Sequence, residues 1–130
     1  MTQLKFKYAI LYVKDVAATL EFYHQAFGFE KKMLHESGDY GELDTGATSL
    51  SFSSLELMQN LGKTPEAVNK NRPSFEIAFE SDDVAGDLDR ALNCGAELVQ
   101  AVEHMPWGQT TAYVHDINGF LVEICSPIQA

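Results

Sequence analysis

The 130-residue sequence writes one motif twice, and that duplication constrains the fold more than any other feature. At an offset of about 68 residues, Asp15-Val16-Ala17 falls on Asp83-Val84-Ala85, Leu20 on Leu88 and Tyr8 on Glu76. Gly28 meets Gly95 one residue out of that register. Farther along the offset grows to about 72, laying Tyr40-Gly41-Glu42-Leu43-Asp44 over Ala112-Tyr113-Val114-His115-Asp116 and Ser51 over Glu123. A unit of roughly 65 residues is longer than a solenoid repeat, so the pattern predicts two copies of one module within a single domain. Duplicated halves create a pseudo-twofold cleft, which makes Tyr8, Ser51, Glu76 and Glu123 the predicted site.

Hydrophobic periodicity gives the order of elements within each copy. Residues 4–13 alternate, with Leu4, Phe6, Tyr8, Ile10 and Tyr12 on one face, as a strand requires. Asp15 is placed to cap a helix whose apolar stripe is Val16, Leu20, Tyr23 and Phe27, and Gly28 to stop it. Strands are expected near 29–35, 40–44 and 47–53, giving βαβββ over about 4–53. The connector, about 54–73, holds one short helix with a capping box from Ser53 and Glu56, and is a candidate flap. The second copy, about 74–127, repeats the order: strand 74–80, an Asp83-capped helix ending at Gly95, strand 97–103, and a hairpin of strands 109–115 and 119–125.

Composition narrows the function classes. Nineteen acidic against nine basic residues give a net charge of −10, with no Lys/Arg cluster, which argues against nucleic acid and anionic membranes as partners. No apolar run reaches membrane-spanning length, and Met1–Val13 has no signal-peptide pattern. Cys94 and Cys125 read as reduced fillers rather than a disulfide framework, so a cytoplasmic protein is expected.

The strands sort into two faces. Leu50, Phe52, Phe75, Ile77, Phe79, Phe120, Val122 and Ile124 form the apolar set that covers the helices. The opposite face carries Ser49, Ser51, Ser53, Ser74, Glu76, Ala78, Leu121, Glu123 and Cys125, a polar lining suited to a ligand site or simply to solvent. If Glu76 and Glu123 approach one another, they either share a proton, with Tyr8 or Ser51 donating to them, or hold a cation; one then titrates above the ordinary glutamate value. The histidines, His24, His35, His104 and His115, form no ligand-spaced pair and are placed at the surface. His115 shares its strand face with Gln109, Thr111 and Tyr113, which could aim it inward.

These features together resemble the vicinal oxygen chelate superfamily: paired βαβββ units, Val13-Lys14-Asp15, Leu20-Glu21-Phe22-Tyr23, Gly28-Phe29 and the ending HDINGFLVEICSP, residues 115–127. The superfamily includes glyoxalase I, bleomycin-resistance proteins, fosfomycin-resistance enzymes and extradiol dioxygenases, and MPWGQTTAYV, residues 105–114, resembles its glyoxalase-like subgroup. The resemblance implies an α+β fold, a curved mixed sheet around a cleft, and a homodimer. It also implies metal ligands at Tyr8, Ser51, Glu76 and Glu123, of which Glu123 alone matches the usual pattern. Imidazole-favouring ions are disfavoured by that set, leaving Mg²⁺ or Mn²⁺ weakly held at Glu76 and Glu123 as the remaining possibility. The expected function is small-molecule binding, with no cofactor and a degenerate metal site, through Tyr8, Ser51, Glu76, Trp107, Gln109 and Glu123. The alternative is a lyase of the lactoylglutathione lyase type, or a related metalloenzyme, with Glu76 and Glu123 catalytic.

Overall fold

The computed structural model describes residues 3–46 and 48–128. Within them the chain forms two compact units, Met1–His24 with Gly28–Ala67, and Gln25–Phe27 with Val68–Ala130. The connector therefore divides, residues through Ala67 going with the first unit and the rest with the second. Each unit is a βαβββ module built on a four-stranded mixed sheet, so the fold is α+β as the duplication predicts.

In the first unit, β1 (Tyr8–Val13), β2 (Glu30–Leu34), β3 (Tyr40–Asp44) and β4 (Ser49–Ser54) form a sheet of order β1-β4-β3-β2. β1 runs parallel to β4, and the other pairs are antiparallel. Helix α1 (Val16–Phe27) begins where the Asp15 carboxylate accepts the Ala18 N–H at 3.0 Å, and Gly28 ends it in the left-handed region at φ 79°. Val16, Leu20 and Tyr23 of α1 are buried with Leu11, Val13, Leu43, Leu50 and Phe52, and the rings of Tyr23 and Phe52 meet at 5.3 Å. Burying each large side chain contributes about 1.5–3 kcal/mol. The short α2 (Leu55–Asn60) is capped by Ser54, whose hydroxyl accepts from the Leu57 N–H, and not by Ser53 as the capping-box spacing predicts. Ser53 is instead buried within β4.

The second unit repeats this plan with β5 (Glu76–Glu80), β6 (Glu97–Met105), β7 (Gln109–His115) and β8 (Leu121–Cys125) in the order β5-β8-β7-β6. Asp83 caps α3 (Val84–Asn93), which packs against β7, β6 and β8 through Val84, Leu88 and Ala91. Five strands begin later than predicted: β2, β4 and β8 start at Glu30, Ser49 and Leu121, residue 47 of the predicted 47–53 strand lying outside the described residues, and β1 and β5 are cut back as well. Residues 3–7 and 74–75 lie outside β1 and β5, and Phe6 and Phe75 are exposed. Asp116 closes the β7–β8 turn by accepting the N–H groups of Asn118, Gly119 and Phe120 at 2.8–2.9 Å.

The structural equivalence of β3 and β7 differs from the sequence alignment by one residue. Glu42 pairs with Ser51 and Tyr113 with Glu123, so Glu42 corresponds to Tyr113, Gly41 to Ala112 and Tyr40 to Thr111. The β3–β4 loop spans 45–48 and the β7–β8 loop spans 116–120, and that extra residue shifts the offset only after β7. A one-residue slip transfers every side chain to the other face, so the correction decides which residues share the open face.

Gly41 is also where α1 comes closest to its sheet. A Cβ there would lie 2.6 Å from Leu20 Cδ1 and 3.2 Å from both Val16 Cγ1 and the Met33 carbonyl oxygen. In the second unit a buried alanine, Ala112, fills the same place. Gly41→Ala is expected to destabilise the protein by about 1–3 kcal/mol through overpacking, measured by denaturant unfolding.

Candidate functional site

On the second sheet, strand alternation sends Val122, Ile124, Ala112 and Val114 into the core and leaves Glu76, Ala78, Leu121, Glu123, Thr111, Tyr113 and His115 on the opposite face. Cross-strand pairing arranges them in rows. Glu76 lies opposite Leu121, which lies opposite His115 and then Glu97; Ala78 lies opposite Glu123, which lies opposite Tyr113 and then Gln100. The two acids are thus one row apart, on neighbouring strands.

Tyr113 joins them. Its phenol oxygen is 2.9 Å from Glu123 Oε2 and 3.1 Å from Glu76 Oε2, so these carboxylate oxygens are at most about 6 Å apart. A phenol has one hydrogen, and it donates to one carboxylate at a time. Burial, and then the hydrogen bond and charge of Glu123 with Glu76 behind it, push the Tyr113 phenol far above its ordinary value. It remains a neutral donor across the physiological range. Burial and the Glu123 charge also raise the Cys125 thiol, which removes it as a thiolate nucleophile or ligand at neutral pH.

The convergence of Glu76 and Glu123 is therefore real within the second unit, but the donor between them is Tyr113 rather than Tyr8 or Ser51. Sequence reasoning passed over Tyr113 because the slipped register set it against Gly41. Trp107 and Gln109 form a separate pair: the indole N–H donates to Gln109 Oε1 at 2.7 Å, and the Gln109 amide donates to the Ser126 carbonyl at 3.1 Å. Gln109 lies four residues along β7 from Tyr113, roughly 13 Å, and no hydrogen bond links the pairs. His115 is not a surface residue. Its side chain is only 14% exposed, and Nδ1 lies 3.2 Å from Glu97 Oε1. His35 and His104 are exposed and His24 half-buried.

The open face of the first sheet carries Tyr8, Ile10 and Tyr12 from β1, Ser49, Ser51 and Ser53 from β4, and Tyr40 and Glu42 from β3. Tyr40 donates to Glu42 Oε2 at 2.8 Å; burial chiefly, with Glu42, raises its phenol, while the nearby Ser51 hydroxyl opposes. Ser51 Oγ is fully buried and has no hydrogen-bond partner among the described residues. Tyr8 is 43% exposed, with the Lys7 ammonium 5.9 Å from its ring centroid. A polar hollow of about 120 Å³ at the β3–β4 turn, lined partly by Lys7, Lys32, Asp44 and Ser49, is below the size of a drug-like ligand site.

A divalent metal fits poorly. Among the described residues of either unit, no three His, Cys, Asp or Glu side chains gather. The second unit offers two carboxylates already engaged by a phenol, the first the single carboxylate of Glu42, bonded by Tyr40, among serines and tyrosines, and neither offers imidazole at the expected positions. Zn²⁺ and its neighbours favour nitrogen or thiolate donors, usually three or four of them. On this face the phenol hydrogen bond lowers the repulsion between the carboxylates without neutralising their charge.

Raised phenol titration fixes a pH dependence. A tyrosine whose folded value exceeds its unfolded value contributes stability that is complete below about pH 10 and is lost as pH rises through the folded value. Tyr113→Phe is expected to cost about 1 kcal/mol at neutral pH, the scale of a partly exposed hydrogen bond to a charged group. The gap between wild type and variant should shrink above about pH 10, which urea unfolding from pH 8 to 11 measures.

The sequence profile of the glyoxalase-like domain family matches residues 6–129. No curated protein matches the chain. Among solved structures, a glyoxalase/bleomycin resistance protein/dioxygenase family enzyme from Burkholderia phytofirmans PsJN superposes with a TM-score of 0.81 at 22% identity, covering 95% of this chain and 98% of that one. A glyoxalase-related enzyme from Fulvimarina pelagi gives 0.79 at 23%, covering 100% and 94%, and TioX from Micromonospora sp. ML1 gives 0.73 at 20%, covering 94% and 98%. At these identities the likeness shows the shared fold. The match over nearly the whole length places the chain in the glyoxalase-like domain family, within the vicinal oxygen chelate superfamily.

Proposed function

We propose that the protein binds a small organic molecule on the open face of its second sheet and does so without a tightly held transition metal. The observation that carries this reading is Tyr113, whose phenol lies within hydrogen-bond distance of both Glu76 and Glu123. Two carboxylates beside a single phenol donor leave this part of the face with more acceptors than donors. Its ligand is a molecule bringing N–H or O–H groups, and an amine is best suited because it also offsets the charge. Trp107, 56% exposed beside Gln109, supplies an apolar surface in the turn between β6 and β7. Tyr8 and Ser51 belong to the reading as polar groups on the equivalent face of the first sheet.

The approach of the two carboxylates also favours the second reading, a lyase of the lactoylglutathione lyase type or a related enzyme using Glu76 and Glu123 with Mg²⁺ or Mn²⁺, both of which prefer oxygen ligands. Metal analysis of protein isolated without chelators or added metal separates the two. The first reading expects no stoichiometric metal and a Glu123→Gln variant that changes ligand affinity about tenfold, some 1.4 kcal/mol, with little loss of stability. Near-stoichiometric Zn²⁺, Ni²⁺ or Fe²⁺ held by Glu76 and Glu123 would overturn it. A Mg²⁺ or Mn²⁺ titration abolished by either glutamine variant supports the second reading.

The same proposal takes the protein to be a cytoplasmic homodimer. Tyr8 and Ile10 expose apolar surface along β1, an edge strand of its sheet, with Phe6 exposed just before it, and such surface favours association. Cys94 and Cys125 are free thiols, as in a reducing compartment. Among the described residues no helix is long and apolar enough to cross a membrane. Light scattering at micromolar concentration is expected to give twice the 14.4 kDa chain mass; a clean monomer would refute the dimer.

A further inference from the structure

We propose that Asn118-Gly119 is a modification site, at which the asparagine loses its amide nitrogen and becomes an aspartyl or isoaspartyl residue, and that the Asp116 carboxylate holds the site shut while the β7–β8 turn is intact. The inference is independent of any ligand. The five asparagines are followed by Leu61, Lys70, Arg72, Cys94 and Gly119, so Asn118 alone precedes a glycine. A following residue without a side chain leaves its amide nitrogen unhindered as it swings toward the asparagine carbonyl carbon. This is the dipeptide most prone to close on itself.

The turn cannot dispense with that glycine. Gly119 has φ 105°, and a Cβ there would lie 3.2 Å from Lys70 Cβ and 3.7 Å from Val68 Cγ1. The labile bond is therefore built into the hairpin, and its protection comes from its surroundings. Asp116 is only 4% exposed, and its Oδ1 accepts the N–H groups of Asn118 at 2.8 Å, Gly119 at 2.8 Å and Phe120 at 2.9 Å. The Asp116 carbonyl oxygen lies 3.1 Å from the same Gly119 nitrogen. Gly119 is itself buried, with Val68 and Lys70 against it.

Conversion starts when hydroxide removes the Gly119 amide proton. In the intact turn that proton is donated to a carboxylate, a strong charge-assisted bond, and its loss would set an amide anion against the Asp116 charge. Once the turn opens, the freed nitrogen bonds to the Asn118 side-chain carbonyl carbon. The bond from that carbon to the side-chain nitrogen breaks, and ammonia leaves with a proton from water. Water then opens the resulting succinimide at either carbonyl. One water is consumed and one ammonia released, with no oxidant or reductant. The product does not fit back into the turn. It carries a new negative charge on a residue whose N–H lies 2.8 Å from Asp116 Oδ1, and the isoaspartyl form also adds a carbon to the backbone between β7 and β8. Local opening of the turn is thereby recorded irreversibly.

The test follows the mass gain of amide-to-acid conversion, with peptide mapping and isoaspartyl methyltransferase labelling to locate it. Full-length wild type is incubated at one mildly alkaline pH with and without urea. The native protein is expected to convert about a hundredfold more slowly than the unfolded chain, the scale of a hydrogen bond to a charged group lost before attack. Urea too dilute to unfold the chain should raise the rate as it raises the open fraction. Asp116→Asn, which keeps the shape and removes the charge, should convert faster than wild type while its circular dichroism remains native. Asn118→Ser should show no gain at this position. If Asp116→Asn does not fold, the native and unfolded wild-type rates decide alone. Equal rates in those two states, a folded Asp116→Asn converting no faster than wild type, or an unfolded chain that forms no isoaspartate at position 118 would each overturn the proposal.

Discussion

The chemistry of both open faces depends on the parallel pairing of each module's first strand with its last, β1 with β4 and β5 with β8. That pairing sets Tyr8 opposite Ser49 and Glu76 opposite Leu121 at equivalent places. Because side chains alternate along a strand, the register that buries Leu50 and Phe52, or Val122 and Ile124, also puts Ser51 and Glu123 on the other side. The helices enforce it. α1 covers the apolar face of the first sheet and α3 that of the second, so slippage by one residue would bury Glu123 and expose Ile124. Burial of an unpaired carboxylate costs several kcal/mol, which makes the register robust and the open face a fixed consequence of the core.

On this common backbone the two modules distribute their polar groups differently. At the centre of the third strand the first has Glu42 where the second has Tyr113; at the centre of the fourth the first has Ser51 where the second has Glu123. Each module retains a tyrosine phenol donating to a glutamate, Tyr40 to Glu42 and Tyr113 to Glu123. In the second module, however, the phenol reaches a further acid, while in the first a buried serine hydroxyl makes no hydrogen bond. The first module thus has a small buried hydroxyl at the position where the second carries a carboxylate accepting from Tyr113, and the two modules are chemically asymmetric.

The Asp15 and Asp83 caps of α1 and α3, the glycine stop at Gly28, β3 and β7 to the residue, and the two-faced strands were legible in the sequence, because each rests on local signals: Asp before an apolar stripe, period-two alternation, glycine after a helical pattern. Glu76 and Glu123 were legible through the repeat. Tyr113 and Glu97 were not. Tyr113's role depends on a one-residue difference in hairpin loop length, which shifts only a few aligned positions and leaves the apolar pattern intact. Glu97 sits on β6, an edge strand with two irregularities in its pairing to β7, so counting along the chain does not reveal that it lies beside His115. The cap of α2 missed by one residue for a related reason: Ser53 and Ser54 are chemically alike, and burial of β4 decides between them.

Family membership places the fold but leaves the chemistry to individual side chains, since one backbone hosts unrelated activities. Here the relevant balance is electrostatic. Two carboxylates held within about 6 Å repel strongly unless a cation or a donor lies between them. A tyrosine in that place lowers the repulsion without imposing coordination geometry, and its raised titration keeps the donor intact at any physiological pH. It does not match the charge of a divalent ion. Glu97 differs in meeting the Lys70 ammonium and the His115 ring. The second sheet thus separates its acids into one paired with a cationic side chain and two bridged by a phenol.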